Sequence, residues 1–207
     1  MFRSSAVALG LLLVLLWLGN PAIAEEAERF ENPTAGISLL KPVGWNTASL
    51  QDVEENRGRV RLPDAELQKA IQKHATAPLF VFMKHPEPHD DLNPSVQVIL
   101  RPLGPLAGGS PVQIMEAAVG PLQQMFTDFE FVQAIHETTV SGLPAAHMTA
   151  TYSILNAEGS EFPTLSRMWI VPRGSFMFLI GMSGPQEGPD VSESEFTAVL
   201  DSVEILE

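Results

Sequence analysis

The chain reads as an α+β protein built on a mostly antiparallel sheet. Three observations predict this. Short segments alternate apolar and polar residues with the period of two that marks strands, Val96-Gln97-Val98 and Ala146-His147-Met148 among them. Several of these segments follow one another at hairpin spacing, through Ser141-Gly142 and through Pro172-Arg173-Gly174-Ser175. Helical stripes stand apart, one early, one in the middle and one last, rather than after every strand as a parallel sheet requires. No internal repeat divides the chain, and 207 residues suit one domain with a sizeable core.

The first 24 residues read as a secretory signal peptide. Met1-Phe2-Arg3 carries the one early positive charge, Ala6 to Leu18 is an unbroken run of apolar residues and glycine, and Ala22-Ile23-Ala24 supplies a small-x-small cleavage site. The apolar run is shorter than the roughly 20 residues of a spanning helix, so cleavage near Ala24 is expected rather than anchorage. Glu25 to Thr34 is polar and acidic and reads as a flexible leader, leaving a single domain over 35–207. The chain has no cysteine. Disulfides, thiolate catalysis, Cys-ligated zinc and lipid attachment to an N-terminal cysteine are thereby excluded. An exported protein held by its core alone suits the bacterial periplasm or exterior.

Within the domain, Ile37 and Leu39 alternate with Ser38 in a first strand over Gly36–Lys41, and Pro42-Val43-Gly44-Trp45 is a turn that delivers a tryptophan. Gln51 to Arg61 is charged and reads as a loop. Asp64 reads as the N-cap of an expected helix that would place Leu67, Ala70, Ile71 and His74 on one face. Leu79 to Met83 is uniformly apolar, as a strand covered on both faces should be. Val96, Val98 and Leu100 mark the next strand. Between these two, His85 to Pro94 holds three prolines, which exclude regular structure. Pro102 to Pro111 is a second loop.

Ile114, Met115, Ala118, Leu122 and Met125 make a helical stripe that Gly120-Pro121 should kink or split. Phe129–Val140 and Ala145–Leu155 are two strands. In the second, Ala146, Met148, Ala150, Tyr152 and Ile154 share one face, and His147, Thr149, Thr151 and Ser153 the other. Leu165–Val171 and Phe176–Met182 form a hairpin. In the last helix Ser192 and Glu195 read as a capping box, Val191 as a staple onto Phe196, and Phe196, Val199, Leu200 and Val203 as the core face.

The segment Asn32-Pro33-Thr34-Ala35-Gly36-Ile37-Ser38-Leu39-Leu40-Lys41-Pro42-Val43-Gly44-Trp45 resembles the opening of the PsbP-like family, whose fold also includes the small Ran-binding Mog proteins. Gly142-Leu143-Pro144-Ala145-Ala146, the pair Arg167–Val171 and Phe176–Met182, and the closing Phe196–Val203 resemble later parts of that family. All are packing and turn residues. The resemblance covers most of residues 25–207. It implies a central antiparallel sheet with helices on both sides, an α/β/α sandwich, and a mostly non-enzymatic life as an extrinsic subunit or assembly factor. The chain lacks a Lys-rich N-terminal arm for docking on an acidic membrane complex.

Charge narrows the partners. Lys and Arg total 12 against 25 Asp and Glu, a formal net charge of −13, and loss of Arg3 deepens it by one. That balance argues against nucleic acid and anionic membrane surfaces. It fits a soluble monomer or a protein docking on a basic envelope partner, with no stable membrane insertion after signal cleavage.

The most suggestive side chains for a site are His85, His89, Asp90 and Asp91, with Glu87 among them. Imidazole and carboxylate in one loop suit zinc or copper. The spacing matches no regular metal motif, and an exposed polar loop accounts for the same residues. No other cofactor is expected, and no catalytic residue is assigned. Gly181-Met182-Ser183-Gly184-Pro185 misses the nucleophile elbow at its final glycine. There is no His-Glu-x-x-His and no dinucleotide fingerprint, and Gly104–Gly109 lacks the lysine of a phosphate loop. His74, His136 beside Glu137, and His147 read as structural, and Trp45 and Trp169 as core or sheet-face residues. The expectation is an exported, non-enzymatic binding or assembly accessory protein, with contacts through the loops 51–61 and 85–94. A metal-binding envelope protein and a hydrolase are the alternatives.

Overall fold

A computed structural model describes residues 27–49, 51–52, 54–55, 60–61, 77–156 and 159–206. The expected signal peptide and the expected Asp64–His74 helix lie outside these residues. In chain order the described elements are β1 (Arg29–Asn32), β2 (Ile37–Leu40), β3 (Asn46–Thr47), β4 (Val60–Arg61), β5 (Phe80–Met83), β6 (Ser95–Pro102), α1 (Pro111–Met125), β7 (Glu130–Val140), β8 (Leu143–Asn156), β9 (Glu161–Arg173), β10 (Phe176–Pro185), α2 (Glu193–Asp201) and β11 (Glu204–Ile205).

Every strand pair is antiparallel. A small sheet runs β1-β2-β11, and a larger eight-stranded one runs β3-β5-β6-β10-β9-β8-β4, with β7 also on β8. The long strands β7 to β10 form a meander. Its first turn is Ser141-Gly142, both with positive φ (52° and 76°), joining Val140 opposite Leu143. Two left-handed residues make the turn whose twist matches the flanking strands. The Ser141 hydroxyl also accepts the Ile205 N–H at 2.9 Å, tying the small sheet to this hairpin.

Two apolar clusters hold the sheets. Ile114, Met115 and Val119 of α1 pack with Ala146, Met148 and Ala150 of β8, Ile170 of β9 and Leu179 of β10. The other cluster joins Ile37, Leu39, Trp45, Phe82, Val96, Val98, Trp169, Val171, Phe178 and Ile180 to Phe196 and Val199 of α2. Residues 145–150 of β8 are all buried, so both faces of this strand are covered. The apolar run at β5 behaves as its sequence indicates, with Phe80, Val81 and Phe82 all buried.

Four expectations need correction. The leader expected over 25–34 contains β1, which pairs with β2 from Arg29↔Leu40 to Asn32↔Ile37. Phe30 explains it, packing edge-on against Phe82 with centroids 5.0 Å apart. The loop expected over 51–61 has helical backbone at 51–52 and 54–55 and ends in β4. Its start is capped reciprocally, because the Asp52 carboxylate accepts the Ser49 N–H at 2.7 Å and the Ser49 hydroxyl accepts the Asp52 N–H at 3.1 Å. Helix α1 is one element running through Gly120-Pro121 rather than two. Its start is fixed by a Ser110–Gln113 capping box and Pro111 at the first position.

The fourth correction concerns α2. Ser192 is its N-cap, but its side chain makes no capping bond. The hydroxyl instead donates to the Asp190 carbonyl at 2.9 Å and accepts from the Lys84 ammonium at 3.1 Å. The Glu195 carboxylate faces the same ammonium at 3.5 Å. Lys84 has displaced the expected box. Val191, the expected staple, is exposed, while Phe196, Val199 and Val203 are buried as expected.

Candidate functional site

Two constellations stand out, one against α2 and one against the loop that precedes it. The first is a cavity of about 350 Å³ between the sheet and α2. Val132 and Gln133 of β7, His147 and Thr149 of β8, and Leu165, Arg167 and Trp169 of β9 line one side, and Glu193, Phe196, Thr197 and Leu200 of α2 the other. The period of two puts His147 and Thr149 on this face of β8 while Ala146, Met148 and Ala150 face α1.

At its floor, His147 stacks on Trp169 with centroids 4.2 Å apart and 14° between planes, and His136 meets it edge-on at 5.3 Å. The His147 Nδ1 lies 3.1 Å from the Met168 carbonyl oxygen, which can only accept, so this nitrogen carries the proton. Nε2 is then free to accept the Thr149 hydroxyl at 3.2 Å. Burial holds the His147 pKa below its ordinary value. The Met168 carbonyl opposes that shift, and His136 and Arg167 add to it. At the mouth, Arg167 pairs with Glu193 and lays its guanidinium over the Phe196 ring, 5.6 Å from the centroid. The lining is mixed: Val132, Leu165, Trp169, Phe196 and Leu200 are apolar, Gln133, His147, Thr149 and Thr197 polar, and Arg167 and Glu193 oppositely charged.

The second constellation includes part of the expected metal set. His85 and His89 stack with centroids 4.5 Å apart and 16° between planes. Their carboxylate partner is Asp190, whose Oδ1 lies 2.9 Å from His85 Nε2. Asp90 and Asp91 do not join: both are exposed, and the Asp91 carboxylate accepts the Leu92 N–H at 2.7 Å. Consecutive residues 90 and 91 follow the chain away from the rings, whereas the 186–192 loop returns to them. The Asp190 pKa is lowered chiefly by its bond to His85, and Lys84, 3.6 Å away, contributes. Loop 84–94 is braced from within. Asn93 accepts the His85 N–H at 3.0 Å and donates to the His85 carbonyl and to Glu87, each at 2.9 Å, and Glu87 accepts the His89 N–H at 3.2 Å.

Of the other histidines, His136 sits against Ala134 O at 2.9 Å and Gln133 at 3.4 Å rather than against Glu137. His74 lies outside the described residues. Trp45 is core, 5.9 Å from Phe196. Trp169 is both core and cavity floor. Sequence reasoning had no route to the cavity, since its walls come from four elements. The one local signal was the polar alternation His147-x-Thr149 on a strand whose other face is apolar.

No protein-family model and no curated protein matches the sequence. Among solved structures, the chain is similar to LpqN, involved in cell envelope biogenesis of Mycobacterium tuberculosis, at 14% identity over 92% of this chain and 88% of that one, with a TM-score of 0.51. It is similar to the Saccharomyces cerevisiae Ran-binding protein Mog1p at 12% identity over 89% and 97%, with a TM-score of 0.51. Cyanobacterial PsbP from Synechocystis follows at 16% identity over 91% and 96%, with a TM-score of 0.49. At these identities the likenesses to LpqN and Mog1p show the fold alone, and it is the PsbP/Mog-like one.

Proposed function

We propose that this chain of PsbP/Mog-like fold is an exported, non-catalytic binding or assembly accessory protein of the cell envelope, and that it holds its partner in the cavity under α2. One observation carries this reading: a cavity with a Trp169–His147 floor, a Phe196 wall and a charged Arg167–Glu193 rim. At about 350 Å³ it has room for one or two side chains of a partner and is small for a large cofactor. Its outer lip is Val132, 63% exposed on the strand β7. Export rests on the signal-like residues 1–24. No helix among the described residues is long and apolar enough to cross a membrane. We read the two helices as covering opposite faces of the sheet, α1 over Met148 and α2 over His147, which makes the α/β/α sandwich. The involvement of LpqN in cell envelope biogenesis and the Ran binding of Mog1p are in keeping with a binding role on this fold.

The test is in-cell crosslinking with a photoreactive residue in place of Val132, in an otherwise unaltered background and in Thr197→Arg. Thr197 is exposed on α2, so an arginine there blocks the mouth without touching the core. The expected result is one recurrent envelope protein at near-equal stoichiometry, lost in Thr197→Arg. Absence of a recurrent partner, or a crosslink indifferent to Thr197→Arg, overturns the reading.

A further inference from the structure

We propose that His85, His89 and Asp190 form a binding site for a divalent transition metal of the zinc class, separate from the cavity under α2. One ligand atom from each of the three lies within 4.8 Å of the others. Two imidazoles and one carboxylate are a donor set for zinc with a position left for water. With no cysteine in the chain, a softer thiolate site is impossible. Tetrahedral zinc with bonds of about 2.0–2.1 Å sets its ligands about 3.4 Å apart. The 2.9 Å contact between His85 Nε2 and Asp190 Oδ1 is shorter than that spacing and opens by about half an ångström to admit the ion. Closure also asks that the other edges, at most 4.8 Å, contract by up to about 1.4 Å, which the two stacked rings allow by splaying from their 16° alignment.

A second observation points the same way. His89 Nε2 is buried and has no hydrogen-bond partner among the described residues. Folded proteins rarely leave such a nitrogen unmet, and a bound ion or its water would meet it. The backbone is prepared as well. Asn93 and Glu87 bond the main chain at both histidines, so the loop needs no refolding to present them.

Lys84 completes the picture as a competitor. Its ammonium lies 3.6 Å from Asp190 Oδ1, where it neutralises the carboxylate in the absence of metal. It also faces Glu195 at 3.5 Å and the Ser192 hydroxyl at 3.1 Å, so it has other acceptors once an ion takes Asp190.

The experiment is titration of the tag-free protein with Zn²⁺ by calorimetry and with Co²⁺ by visible absorption. The expected result is one ion per chain, at least about tenfold weaker binding in each of His85→Ala, His89→Ala and Asp190→Asn, and unchanged binding in Asp90→Asn and Asp91→Asn. Lys84→Met should bind several-fold more tightly, a gain that no loss of folding can imitate. Arg167→Ala should bind as well as the unaltered protein, which keeps this site distinct from the cavity. Absence of saturable binding, or binding indifferent to the three ligand substitutions, overturns the assignment. So does equal weakening by Asp90→Asn or Asp91→Asn.

Discussion

Replacing His147 by Phe separates what this residue contributes as a ring from what it contributes as a base. Phe keeps a planar ring against Trp169 and removes both polar contacts, from Nδ1 to Met168 O and from the Thr149 hydroxyl to Nε2. At pH 8 that leaves two polar groups unmet, at a cost of about 1–3 kcal/mol. The second contribution depends on pH. The side chain is only 9% exposed, and burial depresses its folded pKa below the unfolded 6.5. Between those two values the unfolded chain binds more protons than the folded one, so stability rises with pH across the window. The contribution is full above about pH 6.5 and is lost as pH falls below it.

At pH 5.5, protonation stabilises the unfolded histidine by at most about 1.4 kcal/mol, the bound reached if the folded ring stays neutral. For a chain of this size that corresponds to about 3–6 °C in Tm. The assay is the Tm difference between pH 8 and pH 5.5, measured in the unaltered protein and in His147→Phe. The substitution should lower Tm at pH 8 and shrink the acid-induced drop by up to that amount. The remaining histidines are common to both proteins and cancel. A drop of equal size in the two refutes the claim that His147 is held neutral by burial.

Met148→Ala should cost about 2–5 kcal/mol in urea unfolding, because Met148 is fully buried between Ile114 and Met115 of α1 and the sheet. Gly36→Ala should cost about 1–2 kcal/mol on backbone grounds, since Gly36 sits at φ +71° in the β1–β2 turn. A methyl there would also lie 2.9 Å from the Arg173 guanidinium, so the same urea titration should show at least that loss.

How much of this was legible follows how local each determinant is. Strands β6 and β8 were readable because alternation is written residue by residue, the β9–β10 hairpin because Pro172-Arg173-Gly174-Ser175 separates two apolar runs, and the Ser141-Gly142 turn because Gly142 accepts left-handed backbone. The start of β1 was not, since a polar segment carries one anchor, Phe30, whose partner Phe82 is far away in the chain. The same limit divides the metal cluster. His85 and His89 share a loop and could be paired by inspection, but Asp190 lies 105 positions from His85. Asp90 and Asp91 were the nearer carboxylates in sequence, but the one that reaches the rings is Asp190.

The start of α2 carries this furthest. Ser192 and Glu195 satisfy the capping pattern in sequence, yet both side chains are engaged by Lys84. A local rule failed because an ammonium 108 positions from Ser192 offers a charged donor where the pattern supplies only backbone N–H groups. The helix start is consequently anchored to loop 84–94 instead of to itself. Glu193, Phe196, Thr197 and Leu200 follow within the next turns and form one wall of the cavity. That wall is held along its length by Phe196 and Val199 in the core and at its start by Lys84, so a polar residue that looks least structural in sequence helps fix where the cavity lies.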